Sequence, residues 1–235
     1  FLFCATKLVN ISGSLQRYST AIILLPTLLI VHLSTMKILT PETLEENGYQ
    51  LHERLKHTEL MAFVSRYFFK KNPVMYFYWI FNIVTVIGGF VLLFFSPDKI
   101  GPAMSKFCQG IAAFFLLIPI HELIHGIGYR LSGAKNVSYK AVWKQLVFYA
   151  MADRFVARGW PFVLTALAPF AILNTVCIVL FFTLPPLWNW LAFGALVMHT
   201  AGCSGDFALI SYFYTYRKSD PVTYDDVAGE ESFFY

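Results

Sequence analysis

Charge is what this chain has least of. Only 14% of its 235 residues are Asp, Glu, Lys or Arg, against 57% hydrophobic and 18% aromatic residues. A soluble globular domain carries roughly 25% charged residues, so this composition excludes one and points to a chain solvated by lipid. Cysteine is scarce as well. Cys4, Cys108, Cys177 and Cys203 lie far apart with no CxxC pair, so neither a disulfide framework nor a thiolate metal site is expected, and they read as small buried hydrophobes. The chain also lacks a Gly-rich phosphate loop and a basic aromatic platform, so neither nucleotide nor nucleic acid is expected as a partner. The formal net charge of +4 needs another explanation.

What the chain has in quantity is long apolar runs. Residues 74–96, 104–129, 160–184 and 187–214 each reach the roughly 20 residues that a bilayer demands, which predicts four transmembrane helices with the lipid bilayer as their partner. Basic residues are distributed unevenly around them. Arg54, Lys56, Arg66, Lys70 and Lys71 precede the first span, and Arg130, Lys135, Lys140, Lys144, Arg154 and Arg158 lie between the second and third. Arg217 and Lys218 follow the fourth, and the opposite side offers only Lys99 and Lys106. Because short loops rich in Lys and Arg stay cytoplasmic, both termini are expected there, and this bias accounts for the net charge.

Four regions follow. Residues 1–35 form an N-terminal extension of uncertain standing: 21–33 are apolar but too short for a span and are broken by Pro26, and Met36 reads as the natural start. An additional membrane anchor or a cleaved signal are the alternatives. Residues 36–72 open with Thr40-Pro41-Glu42, an N-cap with a first-turn proline, and predict a helical region on the cytoplasmic surface, broken near Asn47-Gly48, in which His52 and His57 are solvated. Residues 73–216 hold the four spans, and 217–235 are a cytoplasmic tail. Between the second and third spans, 137–143 and 146–149 read as two short strands of a cytoplasmic β-hairpin, either a connector sealing the bundle or an edge that pairs with an extended substrate.

The second span carries His121-Glu122-Leu123-Ile124-His125. With six His and eight Glu in the chain, HExxH arises by shuffling roughly once in two hundred sequences. On a helix, His121 and His125 share one face, so two imidazoles can reach one Zn²⁺ while Glu122 faces a water as catalytic base. Three ionisable groups in lipid are costly enough to be read as functional. The alternative is a pair of histidines hydrogen-bonded inside the bundle with Glu122 as their partner.

A catalytic zinc takes three protein ligands, and Asp206 is the only carboxylate in the fourth span. Counting from the basic residues that mark the cytoplasmic boundary, His121 and His125 lie about 13 and 8 Å deep and Asp206 about 16 Å, all in the same half of the bilayer. His199, seven residues before Asp206, is a candidate accessory group or a hydrogen-bonded core histidine. Asn174 in the third span is a candidate for holding substrate backbone or for an interhelical hydrogen bond. Pro119 is expected to kink the second span near the site, and Gly126, Gly128, Gly202 and Gly205 to let helices approach closely.

Taken together, His-Glu-Leu-Ile-His-Gly at 121–126, Leu-Ala-Pro at 167–169, His-Thr-Ala-Gly-Cys-Ser-Gly-Asp at 199–206 and Asp225-Asp226 in the tail resemble the putative zincin peptidases of bacteria. That domain-of-unknown-function family looks like a distant branch of the site-2 intramembrane metalloproteases. The resemblance spans about 69–235 and implies His121, His125 and Asp206 as zinc ligands, Glu122 as catalytic base, Zn²⁺ as cofactor, and a multi-pass protein of the bacterial cytoplasmic membrane. One departure is plain: site-2 proteases set the ligand Asp in Leu-Asp-Gly after an Asn-Pro element, whereas here it stands in Ser-Gly-Asp-Phe, with Pro169 and Asn174 only loose stand-ins. The expected fold is an all-α membrane protein of four transmembrane helices with one cytoplasmic hairpin. The expected activity is zinc-dependent peptide hydrolysis in or near the membrane, on a membrane protein or peptide. A non-hydrolytic metal-binding or metal-transport protein is the alternative, although the outer halves of the spans lack the polar relays that transport needs.

Overall fold

The computed structural model describes residues 39–95, 100–142 and 147–235. Readings for 1–38, the Met36 start among them, and for the turn of the hairpin lie outside these residues. The described residues are mostly helical, with four helices apolar and long enough to cross a membrane and two small antiparallel sheets.

Helix α1 (Leu60–Phe68) is short and precedes α2 (Pro73–Phe94), which starts where Asn72 accepts a hydrogen bond from the Met75 N–H at 3.0 Å and Pro73 presets the first turn. Helix α3 (Ile100–Leu131) carries Pro119 inside it, and α4 (Gly159–Thr183) carries Pro169. The last span, Asn189–Thr215, is two helices, α5 (Asn189–Gly202) and α6 (Ser204–Thr215), joined at Cys203. Tyr78 of α2 closes over this joint and donates its hydroxyl to the Ala201 carbonyl at 2.9 Å, which keeps the backbone satisfied where water is scarce. In their most apolar windows α2 and α3 bury only 11% and 6% of residues within the protein. Apolar faces turned outward in this way suit a membrane protein.

Backbone proximity brings α3 against α5. A Cβ at Gly110 would lie 2.0 Å from the Leu191 carbonyl oxygen, and one at Gly194 would lie 2.1 Å from that of Phe107. The two glycines are reciprocal, each opening room for the other helix. Gly126 similarly admits the Tyr139 hydroxyl, Gly128 the Thr165 side chain and Gly202 the Phe114 ring, whereas Gly205 faces open space. Three of the four glycines singled out from sequence are therefore close-approach positions.

Strands correct the all-α expectation. The hairpin is present, with β2 (Val137–Val142) antiparallel to β3 (Val147–Ala152) and Tyr139 opposite Ala150. A second sheet was not foreseen. It has the order β1 (Glu53–Lys56), β6 (Glu231–Phe234), β5 (Val222–Asp226), β4 (Ala157–Arg158). Residues 53–56, read as part of a surface helix, thus form a strand, and the tail is a hairpin folded back onto it. The physical reason is alternation: Leu55 is buried between exposed neighbours, and in β6 the buried Ser232 and Phe234 alternate with the half-exposed Glu231 and Phe233. Leu55 and Phe234 pack with Phe63, Tyr67, Phe162 and Tyr212, fixing the sheet to α1, α4 and α6. His57 is also corrected. It is buried against Tyr149 of the hairpin, with ring centroids 5.5 Å apart, rather than solvated.

Candidate metal centre

Helical periodicity places His121 and His125 on one face of α3, one turn apart, and their rings meet nearly edge-on with the two Nε2 atoms 3.0 Å apart. The joint at Cys203 restarts a helix, so Asp206 falls in the first turn of α6, where the helix dipole favours a carboxylate. Asp206 Oδ1 lies 3.0 Å from His125 Nε2 and Oδ2 lies 3.3 Å from His121 Nε2. Tertiary packing therefore brings together the three residues that the depth argument paired.

The outer nitrogens of both rings are engaged. His125 Nδ1 is 3.0 Å from the Thr165 carbonyl of α4. A carbonyl only accepts, so Nδ1 carries a proton, and in its neutral form the ring turns a lone pair at Nε2 toward His121 and Asp206. His121 Nδ1 is 3.0 Å from Nε2 of His199, whose Nδ1 is 2.7 Å from Asn174 Oδ1, and Asn174 donates through Nδ2 to Thr200 Oγ1 at 3.1 Å. Asn174 and His199 thus make an interhelical hydrogen bond, one of the alternatives that sequence left open.

Two imidazole nitrogens and a carboxylate converging at 3.0–3.3 Å concentrate negative potential that only a proton or a cation relieves. Their donor atoms form a group able to hold a metal ion. The spacing suits zinc, whose tetrahedral ligands at about 2.0–2.1 Å lie roughly 3.4 Å from one another. Glu122 supplies a second sign of fit. Its Oε2 is buried without a hydrogen-bond partner, while a backbone hydrogen bond from Ala150 in β3 reaches the same carboxylate. A buried carboxylate oxygen left unpaired costs free energy unless a ligand or water completes it.

A cavity of about 360 Å³ opens over His121, Glu122 and Asp206. Phe114, Ile118, Phe148 and Met198 make it apolar, Met61 of α1 reaches it, and Gly205 leaves part of its floor bare. Glu122 and His125 also touch a smaller space walled by Tyr129 and Tyr149. Burial pushes the Tyr149 phenol up to about 12, so it stays neutral there. The hairpin is tied to the tail sheet by the Lys140–Glu230 ion pair and by a bridge between Asp153 and Asp225. Asp225 is pushed up to about 6, chiefly by burial, with Asp153 adding repulsion against the hydrogen bond that Ser232 donates at 2.6 Å.

Sequence reasoning did not find the Thr165 carbonyl, since a backbone acceptor leaves no mark in residue identity. It also left out Cys203, whose Sγ lies 3.9 Å from His199 Nε2 and which forms, with His121 and His199, a second group that could hold a metal.

Residues 114–220, a little under half of the chain, match the model of a family described as putative zincin peptidase. The matched stretch contains the HExxH segment, Asn174, His199 and Asp206. No curated protein and no solved structure matches the chain.

Proposed function

We propose, from the match of residues 114–220 to a zincin peptidase family, that this protein is a membrane-embedded zinc endopeptidase of the site-2 type. The observation that carries the proposal is the convergence of His121, His125 and Asp206 beside a Glu122 carboxylate with one oxygen unpaired. His121 Nε2, His125 Nε2 and the Asp206 carboxylate would hold the ion. Zinc, when bound, supplies a Lewis acid that polarises a carbonyl and makes water acidic near neutral pH.

Glu122 does the proton work. Its unpaired Oε2 accepts the proton of an attacking water and returns it to the leaving amine, while the Ala150 backbone holds the carboxylate in place. The apolar cavity over the site takes the substrate side chains and limits stray water. A transmembrane substrate must unwind locally, since a helix hides its carbonyls, and the edge of β3 nearest Glu122 is where an extended strand would pair. The basic residues flanking the spans support a reading with both termini and the site on the cytoplasmic side of a bacterial membrane.

The test is zinc content and cleavage measured together on detergent-purified protein, using a library of single-span peptides in nanodiscs with products read by mass spectrometry. About one zinc per chain, kept in Glu122→Gln while cleavage vanishes, is expected. Absence of stoichiometric zinc after repletion refutes the reading.

A further inference from the structure

The chain of contacts from Asn174 to His121 has a direction, set by the way the Asn174 amide is turned. Asn174 donates through Nδ2 to Thr200, so its Oδ1 is the end that meets His199 Nδ1 at 2.7 Å. An amide oxygen accepts, which puts the His199 proton on Nδ1 and leaves Nε2 as an acceptor. His121 Nδ1, 3.0 Å from that acceptor, must then be the donor, and the His121 lone pair is left on Nε2, the nitrogen facing His125 and Asp206. His199 is fully buried and Asn174 nearly so, so no water competes for these positions.

We infer that His199, oriented by Asn174, is a positioning residue that fixes the Nδ1–H tautomer of His121 and so decides which nitrogen faces the metal centre. The inference rests on the zinc reading above for its consequence but not for its geometry. An imidazole as acceptor for a ligand histidine does what a carboxylate or carbonyl does elsewhere, orienting the ring and raising its donor strength. It does so without adding a further negative charge beside Asp206 and Glu122 in the membrane. The relay also excludes an alternative. A metal held by His121, His199 and Cys203 through His121 Nδ1 would need a lone pair there, which the relay denies.

The experiment uses the full chain in detergent, with three readouts on wild type, His199→Gln and His199→Phe. Gln accepts through Oε1 and donates through Nε2, so it can keep the relay, whereas Phe cannot. Histidine ¹⁵N spectra of the metal-free protein should show His121 as the Nδ1–H tautomer in wild type and His199→Gln, and mixed in His199→Phe. Zinc affinity should fall about 10–100-fold in His199→Phe and stay near wild type in His199→Gln. Melting temperatures of the metal-free variants separate this from simple destabilisation, because the relay acts on the increment that zinc adds. A mixed tautomer in wild type, or a zinc increment that is present and equal in all three proteins, overturns the inference. So does a thiolate charge-transfer band on Co²⁺ substitution, which would mark Cys203 as a ligand. If the wild type binds no zinc but keeps the tautomer pattern, the function proposal fails and the positioning role stands.

Discussion

Replacing Gly110 with Ala should weaken a metal centre that it never touches. A Cβ there would sit 2.0 Å from the Leu191 carbonyl oxygen and 2.9 Å from the Ala195 nitrogen, both backbone atoms that no rotamer change can move. Real contacts of this kind begin near 3.0 Å, so α3 and α5 must part by about 1 Å at this level. Overpacking of this size costs about 1–3 kcal/mol, or about 2–12 °C in melting temperature for a chain of this length. His121 lies eleven residues further along α3, about 16 Å away. Because α3 carries two proposed ligands and α6, continuing from α5, carries the third, splaying the pair shifts their spacing, whereas metal sites tolerate only about 0.2 Å. Thermal melting with and without zinc, together with zinc affinity, is the assay. Gly88→Ala is the control, since a Cβ there meets nothing within 4 Å. If Gly110→Ala matches Gly88→Ala in stability and zinc affinity, the close approach of α3 and α5 does not position the site.

Asp206→Ala removes the only carboxylate of the group and should cost more than about 100-fold in zinc affinity, beyond the range for an outer hydrogen-bond partner; retention of stoichiometric zinc in dialysed protein would contradict it. Gly205→Leu, whose Cβ meets nothing within 4 Å, should fill the bare part of the cavity floor and lower cleavage of peptides with large apolar side chains at the scissile bond, while zinc content stays constant. Asp225 carries the pH prediction. Its folded-state value, raised to about 6, means that the stability it contributes is complete below about pH 4 and is lost as pH rises through 6. Asp225→Asn should therefore flatten the melting profile between pH 4 and 7 and raise the melting temperature at pH 7; an unchanged slope would refute it.

Composition and periodicity by themselves determined much of this protein. Four apolar runs dictate four helical stretches long and apolar enough to span, because a backbone in lipid must satisfy its own hydrogen bonds. HExxH on one of them dictates two histidines on one face, since 3.6 residues per turn superimposes positions 121 and 125. Even the pairing with Asp206 was legible, because depth along a helix is counted in residues. Tertiary structure alone decided the rest. Whether His199 and Asn174 face each other depends on the rotation of α4 against α5, which apolarity on every side leaves undefined. The glycines that matter most for helix contact, Gly110 and Gly194, look in sequence like any glycine in a span and are distinguished only by the partner backbone 2.0–2.1 Å from their missing Cβ. The sheet of β1, β4, β5 and β6 joins residues some 180 positions apart. No local pattern specifies such pairing, and short strands of two to five residues gain their stability from the core they cover.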